Sequence, residues 1–503
     1  MLTRLLFVLT LLRCSLLVAA EPPARPNILF LAVDDLRPQL GCYGVEWMQT
    51  PHIDALARSA VRFDRHYVQM AVCIPSRVAL LTSLRSERTR QVYGPMRWQN
   101  VAGARPLGAY FREHGYTAVS LGKIWHAEGE PNGDTFDRVW APPAGAYASA
   151  ANRAADQESR AAGKRGSKKK GKAAGAEASA GPLPPITEAA DEPDDAYPDG
   201  RTAAEAVTEL RRLAGADKPF VLAVGFHKPH LPFVAPKQYW DRYDAAKIPL
   251  AAQRDFPRAM APIAFSGHPN FFNYDYGSYA PLVKNSPMPD ATARHLIHAY
   301  AAAVSFMDAQ VGRVLAELER LGLARNTIVV LWGDHGFHLG DVGHWGKQTN
   351  FEGATRSPLL IRAPGVSRPG VSSALVETVD IFPTLADLAG LPALPVSDGA
   401  SLRAWLRDPA APSRAAAYHV FTRPPVEGSR ETTIGFAVRT ADARYIEWRS
   451  GWSLAGPLVA TEYYRYRPGH FEEEENLAAD PTRATEISAV AKLLRANPAW
   501  QAK

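Results

Sequence analysis

Three uninterrupted apolar runs, each ending abruptly in charged or imidazole residues, constrain this chain more than any other feature. They are Asn27-Ile-Leu-Phe-Leu-Ala-Val33, Phe220-Val-Leu-Ala-Val-Gly-Phe226 and Thr327-Ile-Val-Val-Leu-Trp332. Runs this short, apolar at nearly every position rather than at alternate ones, read as strands buried on both faces of a sheet. They stop at Asp34-Asp35, at His227-Lys228-Pro229-His230 and at Gly333-Asp334-His335-Gly336. A fourth strand, read over 116–121, ends at Gly122-Lys123-Ile124-Trp125-His126. Polar clusters at the carboxyl ends of buried strands are what an open α/β sheet uses to build a binding site. Leu296, Tyr300, Val304, Met307, Val311, Val314 and Leu318 recur in steps of three and four. That spacing predicts one long helix over 291–319, packed on the sheet.

At 503 residues and 46% hydrophobic, the chain exceeds one ordinary domain. The expected division is a large α/β domain over 21–400 and a smaller α+β domain over 401–503. The latter should contain a hairpin, 434–440 with 443–448, and a closing helix over 487–494. Between 142 and 200 the composition shifts to alanine, glycine, proline and blocks of like charge. Lys164, Arg165, Lys168, Lys169, Lys170 and Lys172 precede Glu188, Asp191, Glu192, Asp194, Asp195 and Asp199. Such a segment has little apolar area to offset the entropy of ordering, so a mobile insertion is expected. Residues 472–475, all glutamate, are expected to form a solvated acidic face.

Residues 1–20 carry Arg4, a mostly apolar run and Val18-Ala19-Ala20, and read as a secretory signal peptide. Export to the periplasm or exterior follows as the expectation. No later run is long enough to span a membrane. Three cysteines do not make a disulfide framework. The net charge of +6 suits an anionic partner. No zinc-finger spacing or aromatic-interleaved basic platform points to nucleic acid.

The stretch Val72-Cys73-Ile74-Pro75-Ser76-Arg77 sets a thiol beside a permanent cation, which predicts an acidic, reactive cysteine. It equally suits a cysteine packed at the start of a helix. Adjacent carboxylates at Asp34 and Asp35 call for a compensating cation, for which a hard divalent ion with oxygen ligands is suited. An Asx-type turn is the other reading. Taken together, the strand ends imply a cation-assisted site for an anionic substrate.

Cys73-Ile-Pro-Ser-Arg77 resembles the signature of the type I sulfatases, in the alkaline-phosphatase-like superfamily. Residues 27–35, 122–126 and 333–347 resemble further motifs of that family. Ser83 stands where glycine is usual in the continuation of the signature. The blocks 225–233, 341–351 and 435–440 are similar to the iduronate-2-sulfatase branch. The resemblance implies a large mixed β-sheet flanked by helices, with a smaller α+β C-terminal domain. It implies a sulfatase acting on sulfate esters, foremost those of sulfated saccharides. Cys73 would be converted to Cα-formylglycine by a maturation enzyme and act in hydrated form. Asp34, Asp35, Asp334 and His335 would ligate Ca2+. Arg77, Lys123, His126, His227 and Lys347 would serve catalysis. Lys123, His227, Lys228, His230 and Lys347 would contact substrate. A phosphonate or phosphate monoester hydrolase, or a catalytically silent glycan-binding relative, are the alternatives on this scaffold.

Overall fold

The structure is a computed structural model that describes residues 25–94, 97–126, 135–169, 182–283, 286–467, 469–497 and 500. The leader read over 1–20 and the side chains of the basic tract at 164–172 lie outside the described parts. Among the described residues, no helix is long and apolar enough to cross a membrane.

Eight strands form the main sheet: β1 (Asn27–Val33), β2 (Val61–Tyr67), β3 (Thr117–Gly122), β4 (Arg138–Trp140), β6 (Phe220–Phe226), β8 (Thr327–Gly333), β11 (Leu359–Arg362) and β12 (Gly370–Glu377). Between them in sequence, β5 (Thr187–Ala190) pairs with β7 (Phe233–Pro236), and β9 (His338–Leu339) with β10 (Trp345–Gly346). The spatial order is β12-β2-β11-β8-β1-β6-β3-β4. Only β11 runs against its neighbours. The sheet is therefore mixed but largely parallel.

The apolar runs take their place because both sides of the sheet are covered. Leu29, Leu31 and Val33 enter one core, whereas Ile28, Phe30 and Ala32 enter the other. The expected long helix spans Asp290–Arg320 and buries Tyr300, Val304, Met307 and Val311 in the first core. At the other end of the chain, β13 (Ala417–Arg423), β14 (Thr433–Arg439), β15 (Ala443–Ser450) and β16 (Leu458–Arg465) make an antiparallel sheet. Ile434, Phe436 and Val438 pack there against Val490 and Leu494 of the helix Ala484–Arg495. The expected hairpin and closing helix are both present.

The two sheets grip one loop between them. Asn350 donates to the Gly435 carbonyl at 2.9 Å, and Glu352 accepts from Arg439 at 3.0 Å and from Arg444 at 2.6 Å. A Cβ at residue 435 would lie 2.6 Å from the Asn350 amide and 2.7 Å from the Trp448 ring. Glycine is what lets this loop seat against the strand.

The expected acidic face over 472–475 fails at one residue. Glu473 is buried, not solvated: it accepts from the Tyr466 hydroxyl at 2.5 Å and from the Glu352 N–H at 2.8 Å. The Glu352 N–H and Arg444 give this one glutamate an interior role that composition does not show. Within 142–200, Ala150–Lys169 is helical and β5 joins a sheet, while 170–181 lie outside the described residues.

Candidate active site

Register brings the polar strand ends together. Val33 pairs with both Phe226 and Gly333, so Asp34 and Asp334 emerge side by side from neighbouring strands. Gly122 pairs with Gly225, and a Cβ on Gly225 would lie 2.0 Å from the Lys123 carbonyl. These glycines let Lys123 leave β3 across the end of β6.

Asp35 has φ +60°, a left-handed conformation tolerated by aspartate better than by most residues. The Tyr300 hydroxyl donates to its carbonyl at 2.8 Å, and its own N–H donates to Asp334 Oδ1 at 2.9 Å. This turn sends adjacent carboxylates to different cations. Asp34 meets Arg77 at 3.2 Å and Lys123, whereas Asp35 meets Lys347 at 2.6 Å.

Cys73 begins the helix Cys73–Thr82 and sits among these groups. Its Sγ lies 3.0 Å from Lys347 Nζ, 3.4 Å from His335 Nε2 and 4.0 Å from Asp35 Oδ1. The expected acidic thiol is not found. Burial, followed by the Asp34 charge, pushes the Cys73 thiol well above its ordinary value. Arg77 lies one turn along the helix, fully buried. Its Nε donates to Asp334 at 3.1 Å, and other guanidinium N–H groups reach Asp34 and the carbonyls of Lys123 and Ile124. Its charge is thus committed to holding the carboxylates. Ser76 fastens the same turn by donating to the Asp334 carbonyl.

The helix ends at Ser83, with φ +56°. A left-handed residue there costs a non-glycine side chain roughly 1 kcal/mol. The Ser83 hydroxyl offsets this by bonding to the Val379 carbonyl at 2.6 Å and Ser397 Oγ at 2.8 Å. Serine therefore replaces glycine here with added anchorage.

Donor atoms of Asp34, Cys73, Asp334 and His335 lie within 4.8 Å of one another, as do those of Asp34, Asp35, Cys73 and His230. The set fits a divalent cation. His335 Nδ1 faces the Gly336 carbonyl at 2.9 Å, which assigns its proton there and leaves the Nε2 lone pair facing the cluster. Burial and the facing Asp34 push the Asp334 carboxyl well above its usual range. For Asp34 burial acts upward too, but Lys123, His230 and Arg77 hold it well below. Burial lowers His335 to about 3 and His230 to about 4, so both rings are neutral near pH 7.

The remaining expected residues divide. His126 has a buried Nδ1 without a hydrogen-bond partner among the described residues, and burial followed by the Lys123 charge brings the ring down to about 4. His227 is 38% exposed at its side chain, with Nδ1 3.5 Å from Asp199 Oδ1. His230 Nε2 reaches 3.9 Å from Asp35. Lys228 departs from its expected substrate contact: its ammonium is buried and donates to the carbonyls of His230 and Pro232 at 2.5 and 2.7 Å. Those carbonyls lie close enough to satisfy it, so it braces the loop. Asp199 and Tyr300 carry no local motif that marks them, and Ser76, though within the Cys73–Arg77 signature, shows its part only through its long-range bond to Asp334.

The Sulfatase family profile matches residues 26–391. Iduronate 2-sulfatase of Mus musculus is 33% identical over 479 residues, covering 84% of both chains. A protein solved in complex with its substrate D-glucosamine-2-N,6-O-disulfate superposes with a TM-score of 0.71 at 23% identity, over 94% of this chain and 97% of that one. The phosphonate monoester hydrolase of Agrobacterium radiobacter also gives a TM-score of 0.71, at 24% identity over 94% and 96%. These two likenesses concern the fold alone. On the match over most of its length and the buried Asp-Cys-Asp-His cluster, the chain belongs to the formylglycine-dependent sulfatase family of the alkaline-phosphatase-like superfamily, enzymes that hydrolyse sulfate esters.

Proposed function

We propose that this sulfatase removes sulfate from sulfated saccharides in the manner of an iduronate-2-sulfatase, with Cys73 converted to formylglycine and Ca2+ held by Asp34, Asp35, Asp334 and His335. The observation that carries this reading is the place of Cys73. It stands at the first residue of a buried helix, 3.0 Å from Lys347 Nζ and 3.4 Å from His335 Nε2. When present, the two groups supply a hydrated-aldehyde nucleophile and a Lewis acid that makes it more acidic and draws in the sulfate.

The chain's own residues then divide the work. Three carboxylates face the cations of Arg77, Lys123 and Lys347, so the protein cluster is formally neutral. A divalent cation leaves it two charges positive, which suits an anionic ester. Lys123 and Lys347 hold sulfate oxygens, and well-placed donors of this kind contribute about 3 kcal/mol each to the transition state. Arg77 positions Asp34 and Asp334. Lys347 is engaged by Asp35 and residue 73, whereas the half-exposed His227 is free to hand a proton to the departing alkoxide. His126, neutral near pH 7, and His230 face the sugar hydroxyls.

The test has two arms. Mass analysis of the peptide containing residue 73, from a host that makes a maturation enzyme, should show a loss of about 18 Da relative to cysteine. Retention of the thiol there overturns the proposal. Hydrolysis of a defined panel should favour saccharide 2-sulfates over aryl phosphates, and aryl sulfates over their paired aryl phosphates; the reverse order would identify a phosphoester hydrolase.

A further inference from the structure

Apart from Asp199, the segment 142–200 has no part in the site described above, yet its backbone is tied to the loop that carries His227 and His230. β7 follows that loop directly, and β5 pairs with it from Thr187 against Phe233 to Ala190 against Pro236. The Phe233 N–H donates to the Ile186 carbonyl at 2.9 Å, and the Ile186 N–H to the Asp275 carbonyl at 2.8 Å. The Asp275 N–H returns a bond to the Pro184 carbonyl at 2.9 Å. Three segments thus lie side by side: the strand after the histidine loop, the insertion, and the turn that bears Tyr274. Tyr274 is held beside the histidine loop by backbone bonds that run through the insertion.

The same strand anchors the helix Ala150–Lys169. Glu188, buried in β5, accepts the N–H groups of Ala148 and Ser149 at 2.7 and 3.2 Å and the Asn152 amide at 2.7 Å. A carboxylate so placed satisfies N–H groups at the start of a helix. The Tyr147 hydroxyl adds a bond to the Pro185 carbonyl at 2.5 Å. Further along this helix Asp156 and Arg160 pair at 2.9 Å, with the arginine side chain 59% exposed. The Tyr274 ring packs only partly against the first core, and its hydroxyl has no hydrogen-bond partner among the described residues. Burial, then the Asp156 and Asp35 carboxylates, push that hydroxyl up to about 12, while Arg160 and Lys347 act the other way. Tyr274 therefore stands between the cluster around residue 73 and the helix of the insertion.

We infer that Tyr274, with Asp156 and Arg160, forms the subsite for the saccharide ring next to the sulfated one, so that the insertion sets which sulfated chain ends are accepted. The inference rests on the proposed saccharide-sulfatase reading and deepens it by naming specificity-determining residues. A half-buried phenol offers a flat apolar face to the C–H side of a pyranose, and a hydroxyl that both donates and accepts. A carboxylate beside a guanidinium accepts from one sugar hydroxyl and donates to the next. The charges of Asp156 and Arg160 cancel, so the chemistry suits an uncharged, hydroxyl-bearing ring.

The test compares two substrates of the full, converted protein. One is the methyl glycoside of a 2-sulfated uronate, the other a disaccharide in which the same residue is linked to N-acetylglucosamine. Added hydrogen bonds and a stacked ring predict a KM about 10-fold lower for the disaccharide. In Tyr274→Ala the ratio of the two KM values should fall towards one, and Tyr274→Phe should keep part of it because the ring remains. Asp156→Asn combined with Arg160→Gln, on a helix outside the catalytic cluster, should lower the ratio about 3-fold. This second variant decides the matter where Tyr274→Ala does not fold. Because each ratio is taken within a single protein, a general loss of activity does not imitate the result. Equal KM values in the unaltered protein overturn the subsite, as does an unchanged ratio in either folded variant. If neither sulfate is hydrolysed, the catalytic reading falls instead. The desulfated pair, titrated against tryptophan fluorescence, then decides the subsite by the ratio of Kd values, and equal values overturn it.

Discussion

Lys347 Nζ stands 3.0 Å from Cys73 Sγ while holding Asp35 Oδ1 at 2.6 Å. The ammonium thus joins a proposed metal ligand to the residue proposed as nucleophile. It is kept there by a loop whose neighbouring residues, Asn350 and Glu352, are bound by the C-terminal sheet. Lys347→Ala should lower kcat/KM for an aryl sulfate about 10²–10³-fold. A loss below 10-fold, with residue 73 fully converted, would remove Lys347 from the catalytic group.

The carboxylate cluster predicts a protein stabilised by calcium. A ligand at 100 times its Kd stabilises the folded state by about 2.7 kcal/mol. Chelation should therefore lower Tm, and returning Ca2+ should restore it. Asp334→Asn should abolish that response, since Asp334 shares the cluster with Asp34 and His335. An identical Ca2+-induced shift in the variant would place the ion elsewhere.

Asp199 accepts the backbone N–H groups of His227 and Lys228, both at 2.8 Å, and lies 3.5 Å from His227 Nδ1. It acts as a positioning residue through His227. Asp199→Asn keeps the shape but leaves one N–H without its acceptor, and should reduce kcat about 10-fold. Combined with His227→Ala, it should add almost nothing further, as residues acting in one unit are not additive. Additive losses would show that Asp199 supports the fold alone.

Histidine burial sets the acid limit of stability. His66 is fully buried between Ser357 and Thr378, and burial lowers it to about 4. The unfolded chain binds a proton near pH 6.5 and the folded one does not. Stability from this residue is therefore complete above pH 6.5 and declines as the pH falls to about 4. The shift corresponds to about 3 kcal/mol. His66→Gln should flatten the Tm profile across that window even if it lowers Tm at pH 7. An unchanged slope would assign the acid sensitivity to other groups.

Much of the fold was legible because burial on both faces leaves an unmistakable trace. The runs at 27–33, 220–226 and 327–332 correspond to β1, β6 and the first six residues of β8. The polar residues that stop them meet at one end of the sheet. Reading by local composition failed where distant partners decide the outcome. Glu473 looks solvated among glutamates until the Tyr466 hydroxyl and the Glu352 N–H are brought to it. Asp199 looks like part of an acidic spacer until it caps the turn after β6. Lys228 looks like a ligand for substrate until two carbonyls of its own loop occupy it.

The order of residues by itself determined where the buried strands lie, which side chains end them and which family's signature they carry. Those properties depend on apolar periodicity and local spacing, both written along one stretch of chain. Tertiary structure alone decided that Asp34 and Asp35 serve different cations, that the Cys73 thiol is buried rather than acidic, and that Asp199 holds the backbone of His227 and Lys228. Each of these depends on contacts between segments far apart in sequence, where desolvation and the charges of partners brought close by folding set the chemistry of a side chain.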